Sequence, residues 1–344
     1  MPQIDDSDTD TPPTTETSRR PVSLTTVAAA AHVSISTVSR VVNGQSHRVS
    51  KETLQRVQMA IKTLGYRPNQ IGRALKQGRT RIVAMLTAGL DNPVMSTIAA
   101  STEAALRNAG YVMIVCDTHD QAQLQDEYLE AMRSQGVEGY ILVTNVKSHG
   151  LEQFVDQKEP IIFACRRNPY ADGFYVGIDN RAAGSAAADH LLDAGCRRFA
   201  VVTPELLSSV TKERMSGFTE RLAERGIAAN AIQHLKASGA SLQETGFRAT
   251  TDLRTPEDWP DGILCVSDLL AYGVHRQAVS RGLSVPKDCK LISIDGSEMN
   301  DWLAPWLTSV HVAYQDFGPL IVSQLESVWQ RHAPYEDILP ITVS

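Results

Sequence analysis

The first residues whose types and spacing could do chemistry are Ile35, Ser36 and Arg40. A guanidinium can pair bidentately with O6 and N7 of guanine, and an aliphatic side chain can meet a thymine methyl. If Ile35 and Ser36 open a helix, Arg40 follows one turn on, and the three reach base edges in a major groove. Arg40 on a phosphate, positioning without reading, is the competing assignment. Ser34, Thr37, Asn43 and Tyr66 are of types that hold a sugar–phosphate backbone. Ser23 and Leu24 stand ahead of them as further DNA-contact candidates.

These residues need two short helices and a tight turn between them. Ser23 is an N-cap for an alanine-rich helix. The chain breaks at His32-Val33-Ser34, and Ser34 caps a second helix with Val38, Val41 and Val42 on one face. Two helices joined this way form a helix-turn-helix, whose second helix enters DNA. A third helix runs from the cap Ser50, with Thr53 rather than glutamate at its third position, through Leu54, Val57, Ile61 and Leu64 to Gly65.

Charge follows the same division. Residues 19–81 hold twelve Lys/Arg and one acid, Glu52, for a net +11. Residues 1–18 hold five acids and no Lys or Arg, and residues 82–344 hold 21 basic and 33 acidic residues. The formal net charge of −6 therefore conceals a basic module on an acidic body. Such a module faces a polyanion, with salt-dependent attraction to phosphates. Residues 1–20, rich in Asp, Thr, Pro and Ser, are expected to be a disordered tail.

From Arg81 the pattern changes to short apolar runs suited to strands buried on both faces: Ile82–Leu86, Val112–Cys116, Gly139–Val143, Pro160–Ala164 and Phe174–Ile178. A second series follows at Phe199–Thr203, Ile232–Leu235, Gly262–Val266, Leu291–Ile294 and Thr308–Val312. Helical stretches alternate with them, among them Thr97–Ala109, Arg181–Ala194, Lys212–Arg225 and Leu269–Arg281. Alternation of this kind means two open parallel sheets covered by helices, with ligands beyond the carboxyl ends of the strands.

The run Val33-Ser34-Ile35-Ser36-Thr37-Val38-Ser39-Arg40-Val41-Val42-Asn43-Gly44, with Val49-Ser50-Lys51-Glu52-Thr53 and Leu64-Gly65-Tyr66-Arg67-Pro68-Asn69, resembles the LacI/GalR family of bacterial transcription regulators. Weaker echoes follow in order: Asp91-Asn92-Pro93, Val137-Glu138-Gly139, Asp179-Asn180, Arg214-Met215-Ser216-Gly217-Phe218, Ser267-Asp268, Ile294-Asp295-Gly296 and Leu307-Thr308-Ser309-Val310. The resemblance implies an α-helical helix-turn-helix domain at 21–67 and a hinge helix and linker at 68–80. It implies an α/β two-lobed body at 81–344, like a periplasmic binding protein, with two parallel Rossmann-like sheets. Lobe 1 would take about 81–178 and 313–337, and lobe 2 about 179–312 and 338–344. It further implies a homodimer, or a dimer of such dimers, on a pseudo-palindromic operator. In that scheme Asn69, Gly72 and Leu75 contact DNA, Leu75 as an apolar wedge in the minor groove. Departures are Gly72 where alanine is usual, Cys165 where aspartate is usual, Gly195-Cys196 where Gly-His is usual, and Ser267 where asparagine is usual.

The implied effector is a small carbohydrate-like molecule (a sugar, sugar acid, polyol or nucleoside) held between the lobes. Arg214 and Asp295, expected on opposite sides of that cleft, would offer it donors and acceptors, or else form a structural ion pair. Asn92, Thr144, Asn145, Cys165, Ser241 and Ser267 fall at strand ends or facing loops. Trp302 and Trp306 either close the cleft or belong to the core.

Catalysis has no motif: there is no P-loop, no G-x-G-x-x-G after a strand and no G-x-S-x-G. The five cysteines form no C-x-x-C pair, and the nine histidines show no metal-ligand spacing, so neither metal nor cofactor is expected. The N-terminus lacks the order of a signal peptide, and no apolar run reaches membrane-spanning length. A cytoplasmic, nucleoid-associated bacterial repressor without membrane contact is the expectation. The alternatives are a solute-binding protein of a sugar transport system and a Rossmann-like enzyme. No heptad-patterned tail follows the last strand, which favours a dimer over a tail-held tetramer.

Overall fold

The computed structural model describes residues 22–66 and 79–344. The acidic tail and the hinge, with Asn69, Gly72 and Leu75, lie outside the described residues. Contacts divide the chain into two units that meet between Arg79 and Thr80.

The first unit is three helices, α1 (Leu24–Ala31), α2 (Ile35–Val42) and α3 (Lys51–Leu64). Each starts where a serine side chain accepts a backbone N–H: Ser23 from Thr26, Ser34 from Thr37 and Ser50 from Thr53. Gly65 ends α3 at φ 61°, the left-handed conformation that glycine adopts without a Cβ penalty. Val27, Ala28, Ala31, Val38, Val57, Ala60 and Tyr66 form the core, with Val41 and Val42 packed against it. The valine face inferred for the second helix is thus its buried face.

The second unit holds two six-stranded sheets. In lobe 1 the order is β11-β5-β4-β3-β1-β2, from β1 (Ile82–Thr87), β2 (Val112–Asp117), β3 (Gly139–Leu142), β4 (Ile161–Ala164), β5 (Phe174–Ile178) and β11 (Glu336–Leu339). In lobe 2 it is β12-β10-β9-β8-β6-β7, from β6 (Phe199–Pro204), β7 (Ile232–Ala237), β8 (Gly262–Cys265), β9 (Lys290–Asp295), β10 (Thr308–Val312) and β12 (Ile341–Val343). All pairings are parallel except β10 with β12, so the second sheet is mixed, not wholly parallel as expected. The chain crosses between sheets after β5, after β10 and at Pro340 between β11 and β12. The last crossing falls two residues beyond the expected 337–338 boundary, because β11 runs on beside β5 to Leu339.

Around the sheets lie α4 (Pro93–Asn108), α5 (Ala122–Ser134), α6 (His149–Asp156), α7 (Asn180–Asp193), α8 (Ser209–Glu224), α9 (Leu242–Ala249), α10 (Asp268–Ser280), α11 (Asn300–Leu303) and α12 (Phe317–Trp329). One apolar cluster runs through both lobes, from Val83 and Ile141 by way of Tyr314 and Phe317 to Val201 and Ile292. Helices α7 and α8 in lobe 2 touch backbone to backbone. A Cβ on Gly184 of α7 would lie 2.0 Å from the Arg214 carbonyl oxygen, and one on Gly217 of α8 2.0 Å from that of Arg181. This contact fixes α8, and with it Arg214, against the start of α7.

Candidate functional site

Helix α2 presents a reading surface. Ile35 is 49% exposed, and Arg40 is exposed, its guanidinium without a hydrogen bond or ion pair among the described residues. A free guanidinium at the end of a fixed helix is poised for a base edge or a phosphate. Ser36, expected at a base edge, instead places its hydroxyl 2.8 Å from that of Ser34. Ser34 and Thr37 hold each other at the cap, 2.9 Å apart, and Asn43 donates to Ser39 at 3.2 Å. Tyr66, expected on the DNA backbone, is only 8% exposed and belongs to the three-helix core. Ser23 is committed to its cap, and Leu24 packs against the core as the first residue of α1.

In the second unit, a cavity of about 510 Å³ opens where the carboxyl ends of the two sheets face each other. Of the candidates, Asn92, Thr144, Cys165, Arg214, Ser267 and Asp295 line it. Asn145 and Ser241 do not. Asn145 donates to the carbonyls of Arg166 and Arg167, tying the loop after β4, and Ser241 caps α9. Trp302 is 82% exposed on α11, and Trp306 stacks on His275 with centroids 3.7 Å apart; neither lines the cavity.

Arg214 and Asp295 belong to the same lobe and bond each other, rather than facing across the cleft. Arg214 Nη1 donates to Asp295 Oδ1 at 3.2 Å and to the Val266 carbonyl at 2.7 Å, while Nε donates to Asn180 Oδ1 at 3.0 Å. Tyr314 donates its hydroxyl to the same Asp295 oxygen at 2.9 Å. Burial pushes the Asp295 carboxyl up to about 6, against the opposing pull of Arg214. The guanidinium is pulled down by burial, but Asp295 and Tyr314 together hold it above its ordinary value.

A second pair was not found by sequence reasoning. Arg166 grips Asp120 bidentately at 2.7 and 2.8 Å on the lobe 1 side of the cavity. It joins the loops after β4 and β2, where Cys165, His119 and Asp120 take φ of 58°, 49° and 56°. No spacing rule links residues 46 positions apart in two loops. Tyr314 was also missed, though its place just after the crossing from β10 was a usable signal.

Two buried hydroxyls at the cavity, Thr144 Oγ1 in lobe 1 and Ser267 Oγ in lobe 2, have no hydrogen-bond partner among the described residues. Ser267 stands at the N-cap of α10 yet makes no capping bond, which leaves its hydroxyl uncommitted. Buried polar groups in folded proteins are almost always paired, so two orphans at one cavity mark a place for a ligand. The Cys165 thiol is pushed up to about 12 by burial, so it stays protonated and is a poor nucleophile. Among the described residues, no His, Cys, Asp and Glu cluster fits a metal ion, and no helix is long and apolar enough to cross a membrane.

Comparison with known proteins agrees with this division. Residues 23–69 match the bacterial regulatory proteins of the lacI family, and residues 188–344 match a periplasmic binding protein-like domain. The ribose operon repressor of Halalkalibacterium halodurans is 28% identical over 315 residues, covering 87% of this chain and 89% of that protein. A LacI family transcriptional regulator from Enterococcus faecium, solved with bound ribose, is 25% identical with a TM-score of 0.69, over 76% of this chain and 96% of that one. The lac repressor dimer, solved with operator and the anti-inducer ONPF, shares the fold with a TM-score of 0.82 at 24% identity, over 94% of this chain and 98% of that one.

Proposed function

The chain belongs to the lacI family of bacterial regulatory proteins, and from that premise we propose that it is a cytoplasmic repressor whose operator affinity is set by a small hydroxylated effector in the cavity. It acts as a homodimer on a pseudo-palindromic operator, with α2 of each protomer in a major groove. Ile35 and Arg40 read bases there, and the serines and threonines at the helix caps hold the backbone.

The observation that carries the effector reading is the pair of orphaned hydroxyls, one from each lobe. A ligand that bonds Thr144 and Ser267 together favours the lobe arrangement in which both reach it. That preference is a differential affinity, and a differential affinity can move a conformational equilibrium. A preference of about 100-fold, roughly 2.7 kcal/mol, changes operator occupancy substantially. The E. faecium regulator was solved with bound ribose, a hydroxylated ligand, which supports this reading. The protonated Cys165 thiol and the internally committed Arg214–Asp295 pair favour a binding role over catalysis.

The test is an operator titration. Arg40→Ala should weaken operator binding by ~1–3 kcal/mol and relax preference at one base pair per half-site. Equal loss on operator and random DNA would make Arg40 a phosphate contact. An operator affinity indifferent to every ligand that binds the cavity would end the repressor-with-effector reading.

A further inference from the structure

The cavity's polar groups are largely spent on the protein itself. Asn92 Oδ1 caps α4, Ser208 and Thr211 bond each other, and Asp120 is taken by Arg166. Among the described residues, the buried hydroxyls at the cavity left without a partner are those of Thr144 and Ser267. Beside them the Arg214–Asp295 pair has Nη2 and Oδ2 without a hydrogen bond among the described residues. With the Asn92 amide nitrogen, also without a hydrogen bond among the described residues, that is room for a few ligand hydroxyls, each of which both donates and accepts. A free sugar carries more, and each one buried without a partner weakens binding by about 5- to 150-fold.

The rest of the wall is aliphatic. Met95, Leu206, Val210, Leu242, Val266 and Leu270 line it, from both lobes. Tyr314 is its one aromatic ring, and its hydroxyl is bound to Asp295. Leu206, in the loop between β6 and α8, is 89% exposed, which gives an apolar ligand a surface to cover.

We propose that the effector is an amphiphilic polyol, hydroxylated at one end and aliphatic at the other. Its hydroxyls sit on Thr144, Ser267 and the Arg214–Asp295 pair, and its hydrocarbon part lies against Leu206, Val210 and Leu242. This rests on the effector reading above and narrows it. The Arg214–Asp295 pair is neutral as a whole, so it suits an uncharged head over a carboxylate.

A ladder of 1,2-diols from butanediol to octanediol, titrated into the full chain by calorimetry, tests the proposal. Kd should fall about fourfold with each methylene until the cavity fills. Sorbitol, with the same six carbons as 1,2-hexanediol but a hydroxyl on each, should bind at least about tenfold more weakly, since its extra hydroxyls find no partners. Thr144→Val should weaken the diols about tenfold, the usual cost of one lost hydrogen bond. Leu206→Ser, a change at an exposed position that leaves the fold intact, should flatten the ladder.

A ladder that is flat in the parent overturns the proposal, as does unaltered diol binding in both variants. Sorbitol or ribose binding more tightly than 1,2-hexanediol would also overturn it, yet would leave a cleft-binding regulator standing. A chain that binds diols as described while its operator affinity ignores them would uphold the amphiphile and sink the regulator reading instead.

Discussion

The two arginine–aspartate pairs beside the cavity are built on opposite terms. Arg166–Asp120, on lobe 1, joins two loops through left-handed residues and leaves the aspartate side chain 44% exposed. Arg214–Asp295, on lobe 2, lies within packed helices and strands, with side chains 9% and 8% exposed. The first has ideal two-point geometry in a wet setting. The second has one contact of 3.2 Å in a dry one, supplemented by Asn180, the Val266 carbonyl and Tyr314. Burial, rather than bond length, decides what each is worth. A solvated pair gains little, while a buried one punishes the loss of either partner. Lobe 2 therefore supplies a rigid floor, and lobe 1 supplies a latch at the rim.

The largest effect should come from separating the buried pair. Asp295→Ala leaves a guanidinium that cannot be deprotonated inside the protein, and should cost about 3–5 kcal/mol. Arg214→Met should cost less, because the remaining carboxyl, already raised to about 6, can neutralise itself by taking a proton. Chemical denaturation of both variants at neutral pH measures the asymmetry. Equal costs would mean that the aspartate stays ionised without its partner and that burial is not the governing factor.

A next smaller effect should follow from loosening the floor without touching its charges. Gly217→Ala brings a methyl against the Arg181 carbonyl at a distance no contact permits, so α8 must shift. Overpacking of this kind costs about 1–3 kcal/mol, and it should weaken cavity ligands by displacing Arg214. Parent-like stability would show that the helices slide apart freely and that Arg214 is held by its hydrogen bonds alone.

The contrast also appears in pH. The folded carboxyl of Asp295 titrates at about 6, against an ordinary value of 3.8. The folded state therefore takes this proton first as pH falls, so the group adds stability from pH 6 down toward 3.8 and gives it up as pH rises again. Subtracting the Asp295→Asn profile from that of the parent cancels the other carboxylates. The difference should slope downward with rising pH between those values and be flat above. A slope of the opposite sign would mean that Arg214 outweighs desolvation.

Much of this contrast was hidden from the sequence, and the reason is physical. The caps at Ser23, Ser34 and Ser50 and the stop at Gly65 are local, and local geometry is written in adjacent residues. Buried strands such as Ile82–Thr87 are legible as apolar runs for the same reason. The lining of the cavity by Asn92, Thr144, Cys165 and Ser267 followed from strand ends and facing loops, since strand order puts those ends together, whereas Arg214, inside α8, and Asp295 came from the family resemblance. What stayed unread depends on contacts distant in sequence: the Asp120–Arg166 latch, the return of Tyr314 to Asp295, and the antiparallel β12. Asn145 and Ser241 failed because a residue at a strand end can equally serve its own loop or helix cap. Glycines 184 and 217, each inside a helix where alanine would be favoured, were the overlooked signal of the tight α7–α8 contact.

The smallest stability effect belongs to the latch, and it sharpens the comparison most. Asp120→Asn removes one charge from a pair half open to water, where such pairs contribute about 0–1 kcal/mol. Unfolding midpoints should barely move, and added salt should make parent and variant alike. The consequence should lie in binding. Arg166 also donates to the Asn145 carbonyl at 3.1 Å, so freed from Asp120 it keeps an anchor but loses its fixed orientation at the cavity rim. Its guanidinium then carries an unneutralised charge beside the ligand space. Anionic ligands such as sugar acids should gain affinity relative to neutral polyols in Asp120→Asn, an order measurable by calorimetry with matched pairs. If the variant instead lost several kcal/mol of stability while ligand preference stayed fixed, lobe 1 would be held together by its ion pair as lobe 2 is, and the difference between floor and latch would disappear.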